Sequence, residues 1–272
     1  MSYKLQLTNL QNVAASATAT LKCPVGKGAP TYDQIVFELA GGALPAHITS
    51  IRGKANGRIF MDESSFTDLG KRDTYRGIGN TAAFPTLDFT EPRARNGAAE
   101  QLVASVPGAL LQDLSFELKL AAGFLGTIKA VANYRPPTTN PFIRKLLGTS
   151  VAFSAAGTEA SPNIAYLPQG EAGGKLKRIW IHEDGVGVVS SASIRIANNV
   201  VHEASRLAFE DDQKRNLLVP QALICVLDFV ADGNLAGMLD TGNTPQVELR
   251  LVTSAAGSYR IYYEYLDPIG RL

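Results

Sequence analysis

The chain is poor in the residues from which most active sites are built. It has two cysteines, three histidines and one tryptophan in 272 residues. Cys23 and Cys225 stand far apart, so a disulfide framework is not indicated. The histidines His47, His182 and His202 are scattered, and although His182-Glu183 and His202-Glu203 begin like a zinc helix, neither is followed by the second histidine that HExxH needs. The same scarcity argues against a two-domain cupin, whose metal site gathers several histidines in one barrel. No G-x-S-x-G elbow is present for a nucleophilic serine. Gly170 to Lys175 resembles a phosphate loop but is one residue short, with Leu176 where Ser or Thr would hold magnesium. Charge of one sign is also lacking: 26 Lys and Arg face 25 Asp and Glu, for a formal net charge of +1. A protein that neutralises phosphate backbones carries a basic excess, so direct sequence-specific nucleic-acid binding is not expected. No apolar run reaches the ~18 residues a membrane helix requires. No charged segment followed by an apolar stretch opens the sequence, and a soluble protein of cytoplasmic synthesis is expected, which leaves later contact with a lipid surface open.

What the sequence does contain is a repeat. Ser50-Ile51-Arg52 recurs as Ser193-Ile194-Arg195, Leu87-Asp88-Phe89 as Leu227-Asp228-Phe229, and Phe116-Glu117-Leu118-Lys119-Leu120 as Val247-Glu248-Leu249-Arg250-Leu251. Tyr134 with Pro137 answers to Tyr265 with Pro268. The offsets shrink from 143 to 140 to 131 along the chain, as one module copied once and altered in its loops would give. Two halves of about 130 residues are each large enough to hold a core of their own.

The signals within each half are those of strands. Val36 to Leu39, Ser115 to Leu120 and Ile128 to Tyr134 are short and rich in β-branched or aromatic residues, as are Arg178 to His182, Ser193 to Ala197, Ile224 to Val230, Val247 to Val252 and Tyr259 to Tyr265. Short strands with Gly-rich punctuation predict an antiparallel sandwich or barrel in each half. Helices are expected at Asp62 to Tyr75 and at Glu203 to Leu218, equivalent places that carry the basic pairs Lys71-Arg72 and Lys214-Arg215. Between the halves, Asn140, Pro141, the apolar Phe142, Ile143, Leu146 and Leu147, and Gly148 spell a capped connector helix that docks and holds the halves side by side.

Candidate sites are few. Glu210-Asp211-Asp212 and His182-Glu183-Asp184 are acidic clusters of the kind that can hold calcium, though a solvated surface is the commoner role of such runs. A structural calcium ion is therefore admitted, with no cofactor required. Trp180 lies among alternating strand residues and reads as core, not as a sugar-stacking platform. Arg93, Arg95 and Arg135 could face an anionic surface but are ordinary loop decoration.

Over nearly its whole length, the order of signals resembles the major capsid protein of corticoviruses, the membrane-containing icosahedral bacteriophages. The resemblance rests on Asn12-Val13-Ala14-Ala15, Leu21-Lys22-Cys23-Pro24-Val25-Gly26, Leu167-Pro168 and the closing Arg260-Ile261-Tyr262-Tyr263-Glu264-Tyr265. It implies an all-β protein of two tandem eight-stranded jelly-roll β-sandwich barrels with a few short helices. The corresponding division is an N-terminal segment 1–30, a first jelly roll 31–137, a linker with a short helix 138–174 and a second jelly roll 175–272. It further implies a non-enzymatic coat protein of the virion. Its partners would be itself, as a homotrimer and neighbouring trimers, a penton or vertex protein, and the inner viral membrane or its proteins. Phe142, Ile143, Leu146 and Leu147, with the segment Ser2 to Leu21, are the candidate interface residues. The competing readings are a two-domain β-sandwich that binds or processes carbohydrate, which would need exposed aromatics or a carboxylate pair in a cleft, and a minor capsid or spike protein.

Overall fold

A computed structural model describes residues 3–63, 65–79, 81–95, 97, 101–167, 174–242 and 246–271. The chain forms two compact units, Met1–Leu147 with Asp267–Leu272, and Gly148–Leu266.

Unit 1 contains β1 (Tyr3–Gln6), β2 (Thr18–Lys22), β3 (Thr31–Ala40), β4 (Ile48–Ala55), β5 (Arg58–Glu63), α1 (Phe66–Tyr75), β6 (Thr86–Asp88), β7 (Val106–Pro107), β8 (Leu114–Leu120), β9 (Thr127–Arg135) and the start of β10 (Phe142–Phe153). One sheet runs β1-β9-β3-β6, with β7 also on β3. The other runs β5-β4-β8-β2 and is antiparallel throughout. Alternation supplies the core between them: Ile35, Phe37 and Leu39 of β3 are buried while Gln34, Val36 and Glu38 are half-exposed. Phe60, Phe89 and Phe116 meet at centroid separations of 6.0 to 6.5 Å, in the tilted and edge-on arrangements that aromatic quadrupoles favour.

Unit 2 contains β11 (Asn163–Tyr166), β12 (Lys175–His182), β13 (Val189–Ile196), β14 (Asn199–Ser205), α2 (Arg206–Arg215), β15 (Ile224–Asp228), β16 (Leu239–Asp240), β17 (Val247–Thr253) and β18 (Gly257–Pro268), whose last two residues belong to unit 1. Here β15-β12-β18, with β16 on β12, faces β11-β17-β13-β14. Ile179, Ile181, Ile194, Leu227, Leu249, Leu251, Tyr259, Ile261 and Tyr263 form the shared core. Each unit is thus a jelly roll, and the chain is an all-β double jelly roll.

The repeat read from triplets is reproduced in the hydrogen-bonded register. In β4–β8, Ser50, Ile51 and Arg52 face Lys119, Leu118 and Glu117, and in β13–β17, Ser193, Ile194 and Arg195 face Arg250, Leu249 and Glu248. Because the side-chain period of a strand is two, a slip by one residue would turn Ile51 or Ile194 out of the core, so burial fixes this register in both copies. Both hairpins that follow, β4–β5 and β13–β14, close on two residues of positive φ, Asn56-Gly57 and Ala197-Asn198.

The two expected helices form, but each begins later than Asp62 or Glu203. Asp62 and Glu63 are taken by β5, where they face Arg52 and Ile51, and Glu203 is taken by β14. Each helix then starts at a serine whose hydroxyl accepts the amide of the third residue on: Ser65 from Asp68 at 3.0 Å and Ser205 from Ala208 at 3.3 Å. The connector is a correction. Phe142 to Gly148 is not a helix but part of β10, with Leu146 paired in parallel to Met61 of β5. Asn140 does accept a backbone amide, that of Phe142 at 3.2 Å, yet this closes a turn and the chain continues extended. An available strand partner outweighs the local helical spacing. Gly148 has a packing role as well, since a β-carbon there would lie 2.6 Å from the Tyr262 ring.

Candidate functional site

The acidic candidates are held apart and largely consumed by neighbours. Glu183 is buried, accepts Arg206 Nη1 at both oxygens (2.7 and 3.0 Å) and the Val189 amide at 2.8 Å. Arg206 also donates from Nε to Glu210 at 2.8 Å. Burial by itself would lower the Arg206 pKa, but its hydrogen bonds to Glu210 and Glu183 carry it upward overall. Asp211 pairs with the exposed Arg215 at 2.8 Å, and Asp212 accepts Asn216 Nδ2 at 3.4 Å. Asp184 accepts the amides of Ser258, Val186 and Gly187, which hold its carboxyl below the usual aspartate range. Consecutive residues on α2 point about 100° apart around the helix axis, so Glu210, Asp211 and Asp212 cannot converge on one ion. Among the described residues no group of three or more His, Cys, Asp or Glu is placed to hold a metal.

The histidines sit against aromatic rings. His182 meets Tyr262 edge-on at 5.3 Å, His47 meets Phe124 at 6.3 Å, and His202 lies 5.2 Å from both Phe209 and Phe229, where burial lowers its pKa. Trp180 is fully buried and donates Nε1 to Glu264 at 3.0 Å. Arg135 pairs with the buried Asp33 at 2.8 Å, Arg93 is half-buried and Arg95 exposed. Of the candidate interface residues, Ile143 and Leu146 are buried within the chain, while Phe142 and Leu147 are half-buried. The segment proposed with them supplies β1 and β2 to unit 1, with Leu7, Leu10, Ala19 and Leu21 buried. Ser2 and Gly170 to Gly173, including most of the phosphate-loop-like stretch, lie outside the described residues.

Sequence reading missed a polar row that occurs in both jelly rolls. In unit 1, Gln34 of β3 lies between Asp88 of β6 and Asn133 of β9, donating to Asp88 at 2.8 Å and accepting from Asn133 at 2.7 Å. In unit 2, Arg178 of β12 lies between Asp228 of β15 and Glu264 of β18, at 2.7 and 3.5 Å. Both central strands carry a register irregularity just before the row, which leaves Asp33 and Lys177 as the inserted residues. Lys177 reaches Glu264 at 2.8 Å, so the second row is ionic where the first is mostly neutral. Asp88 and Asp228 were visible in the repeated Leu-Asp-Phe triplet, and each also accepts a backbone amide two residues on, from Thr90 at 2.7 Å and Val230 at 3.0 Å. Their partners differ in type between copies and leave no repeated pattern to find.

The twinned registers are what this chain can be compared with known proteins by. Residues 4–135 match the family "Viral coat protein P2 N-terminal domain" and residues 143–269 match "Viral coat protein P2 C-terminal domain". Among solved structures, the major capsid protein P2 from bacteriophage PM2 superimposes with a TM-score of 0.88 at 17% identity, covering 98% of each chain. The Sulfolobus Turreted Icosahedral Virus structure gives 0.71 at 12% identity, covering 98% of this chain and 91% of that one. The PBCV-1 virus capsid gives 0.63 at 12% identity, with coverages of 99% and 95%. No curated protein matches the chain.

Proposed function

The chain belongs to the viral coat protein P2 family, a family of structural proteins of the virion, and on that premise we propose that it is a major capsid protein that assembles as a homotrimer. Three chains of two jelly rolls each supply six barrels, enough for a pseudo-hexagonal tile from one gene product. Tiles of this kind pack side by side into an icosahedral shell over an internal lipid membrane, with a penton or vertex protein filling the five-fold positions. Contacts between tiles take the place of catalysis, and no enzymatic step is assigned to the chain. Closed symmetry lets each contact be reused, and a specific interface of at least ~1,000 Å² per contact is expected.

The observation that carries this reading is the doubled register, Ile51 against Leu118 and Ile194 against Leu249, within a chain whose two halves match the two coat-protein domains in order. Light scattering on the purified protein tests it. A mass three times the 29.0 kDa chain, with a hexagonal outline in electron micrographs, is the expected result. A monomer that persists at high concentration would remove the trimer, and with it the tile.

A further inference from the structure

The two copies of the doubled register differ on their outer faces. Ile194 and Leu249 point into the core of unit 2, so the alternation of a strand turns Arg195 and Glu248 outward. Pairing then lines up one row across four strands: Tyr166 of β11, Glu248 of β17, Arg195 of β13 and Val200 of β14. The equivalent row in unit 1 is Thr20 of β2, Glu117 of β8, Arg52 of β4 and Asp62 of β5. The centre is kept and the ends are changed. In unit 1, Arg52 donates from Nε to Asp62 at 3.3 Å. In unit 2 a valine stands where that aspartate would be, and Val201 is the extra residue of the register irregularity beside it. The Arg195 Nε is buried without an acceptor, and no ion pair holds Arg195 among the described residues. Glu248, the acid opposite, is instead held by Arg250 from Nε and Nη2 at 3.1 and 2.9 Å. A guanidinium nitrogen shut away from water without an acceptor is costly, and an acceptor arriving from outside the chain removes that cost.

The ends of the row are apolar and open. Tyr166 is 58% exposed, and Val200 and Val201 are each 46% exposed. Beyond them, β14 is the last strand of its sheet. Its counterpart β5 is not, because β10 of the same chain lies alongside it with Leu146 paired to Met61. Unit 1 therefore draws from its own chain both the acid for its arginine and the strand beside its edge, and unit 2 has neither among the described residues. An arginine set among tyrosine and valines, next to a strand edge, has the composition of a protein contact. A small anion would answer the charge but leave the valines and the strand edge in water.

We propose that the β13–β14 side of unit 2 is where a second copy of this chain docks, presenting a carboxylate to Arg195 and apolar side chains to Tyr166, Val200 and Val201. The inference rests on the homotrimer reading and adds to it the face that is used. A second copy is the occupant because the missing parts, a carboxylate and an extended strand, are those that this chain already supplies at the same positions of unit 1. Two such faces pressed together would bring cation toward cation, so the contact is head-to-tail. A different face of the next copy meets it, and three contacts of this kind close a ring.

The test compares Arg195→Ala with Arg52→Ala, each in the full chain, by light scattering through a dilution series. Arg195→Ala is expected to weaken trimer association at least about a hundredfold, the scale on which one side of a buried charged contact matters. Arg52→Ala breaks a half-exposed pair within one chain and should leave association within about threefold of wild type. An Arg195→Ala protein that trimerises like wild type, or equal weakening by both variants, would overturn the docking face and leave the trimer standing. A wild-type chain that stays monomeric removes the trimer reading, and this inference with it. Should Arg195→Ala fail to fold, hydrogen exchange of the wild-type chain above and below its dissociation midpoint decides the matter. Peptides covering Asn199–Ser205 are expected to exchange at least about tenfold more slowly in the trimer, and equal rates in the two states would sink the proposal.

Discussion

Glu264 gathers two cations and an indole at one buried point of unit 2. It is fully buried, and its two oxygens receive Lys177 at 2.8 Å, Arg178 at 3.5 Å and the Trp180 indole at 3.0 Å. Removing its charge takes an anion from beside two cations held out of water, of which Arg178 also pairs with Asp228 at 2.7 Å. Glu264→Gln is therefore expected to lower stability by about 3 kcal/mol, the usual cost of breaking a buried pair from one side. The equivalent change in unit 1, Asn133→Leu, removes one neutral hydrogen bond and should cost about 1 kcal/mol. Urea unfolding of both variants checks the contrast, and equal losses would mean that the ionic row contributes no more than its neutral counterpart. The four residues Arg178, Asp228, Lys177 and Glu264 are scattered over 88 positions of sequence, from 177 to 264, and only the pairing of β12 with β15 and β18 brings them together. Residue types alone could not reveal them, because a polar residue in an alternating strand reads as the solvent side. The acid clusters are the opposite case. Adjacent acids are conspicuous in a sequence, yet Glu183 and Glu210 share one arginine and Asp211 and Asp212 turn to other partners.

The two helices show how much an element owes to its ends. α1 and α2 are each ten residues long, start at a serine cap, and finish with the same pair of backbone closures, Gly77 and Leu217 lying in the left-handed region at φ 68° and 59°. Glycine takes this conformation freely, whereas a β-carbon there costs about 1 kcal/mol. Gly77→Ala meets only an ordinary contact with Arg93, so it should destabilise by about 1 kcal/mol through backbone strain alone. Leu217→Gly should do the reverse, raising stability by about 0.5 kcal/mol once the greater freedom of unfolded glycine is counted, because the Leu217 side chain is 75% exposed and little packing is lost. Thermal unfolding that moves both variants the same way would contradict this pairing. Both helices were legible from their polar composition and matching positions, and their starts were not. Asp62, Glu63 and Glu203 look like helix-opening acids but are used as strand residues opposite Arg52, Ile51 and Ser193. At the connector the error is larger, since Phe142, Leu146 and Leu147 have helical spacing and it is strand pairing, Leu146 with Met61 of β5 among it, that makes them strand.

At the scale of the chain, the repeat was readable because core positions and turns survive divergence at fixed offsets, while the path between units was not. Unit 1 is closed by the far end of the sequence. After unit 2 is complete the chain returns with Asp267–Leu272, where the Ile269 amide donates to the Pro141 carbonyl at 2.6 Å, Ile269 is buried, and Asp267 accepts from Lys145. No local pattern announces such a return, since Asp267 and Ile269 look like the tail of a second domain. Deleting 267–272 should therefore weaken unit 1. It removes the partner of Lys145, whose side chain is only 15% exposed, together with the burial of one isoleucine, for a loss of about 2–4 kcal/mol. Hydrogen exchange separates the outcomes, because peptides from residues 142–147 and from β5 should exchange faster in the truncated chain while those of β13 and β17 keep their protection. If unit 2 loosened first, the last six residues would belong energetically to the second jelly roll, and the chain would be two consecutive modules instead of one module interrupted by another.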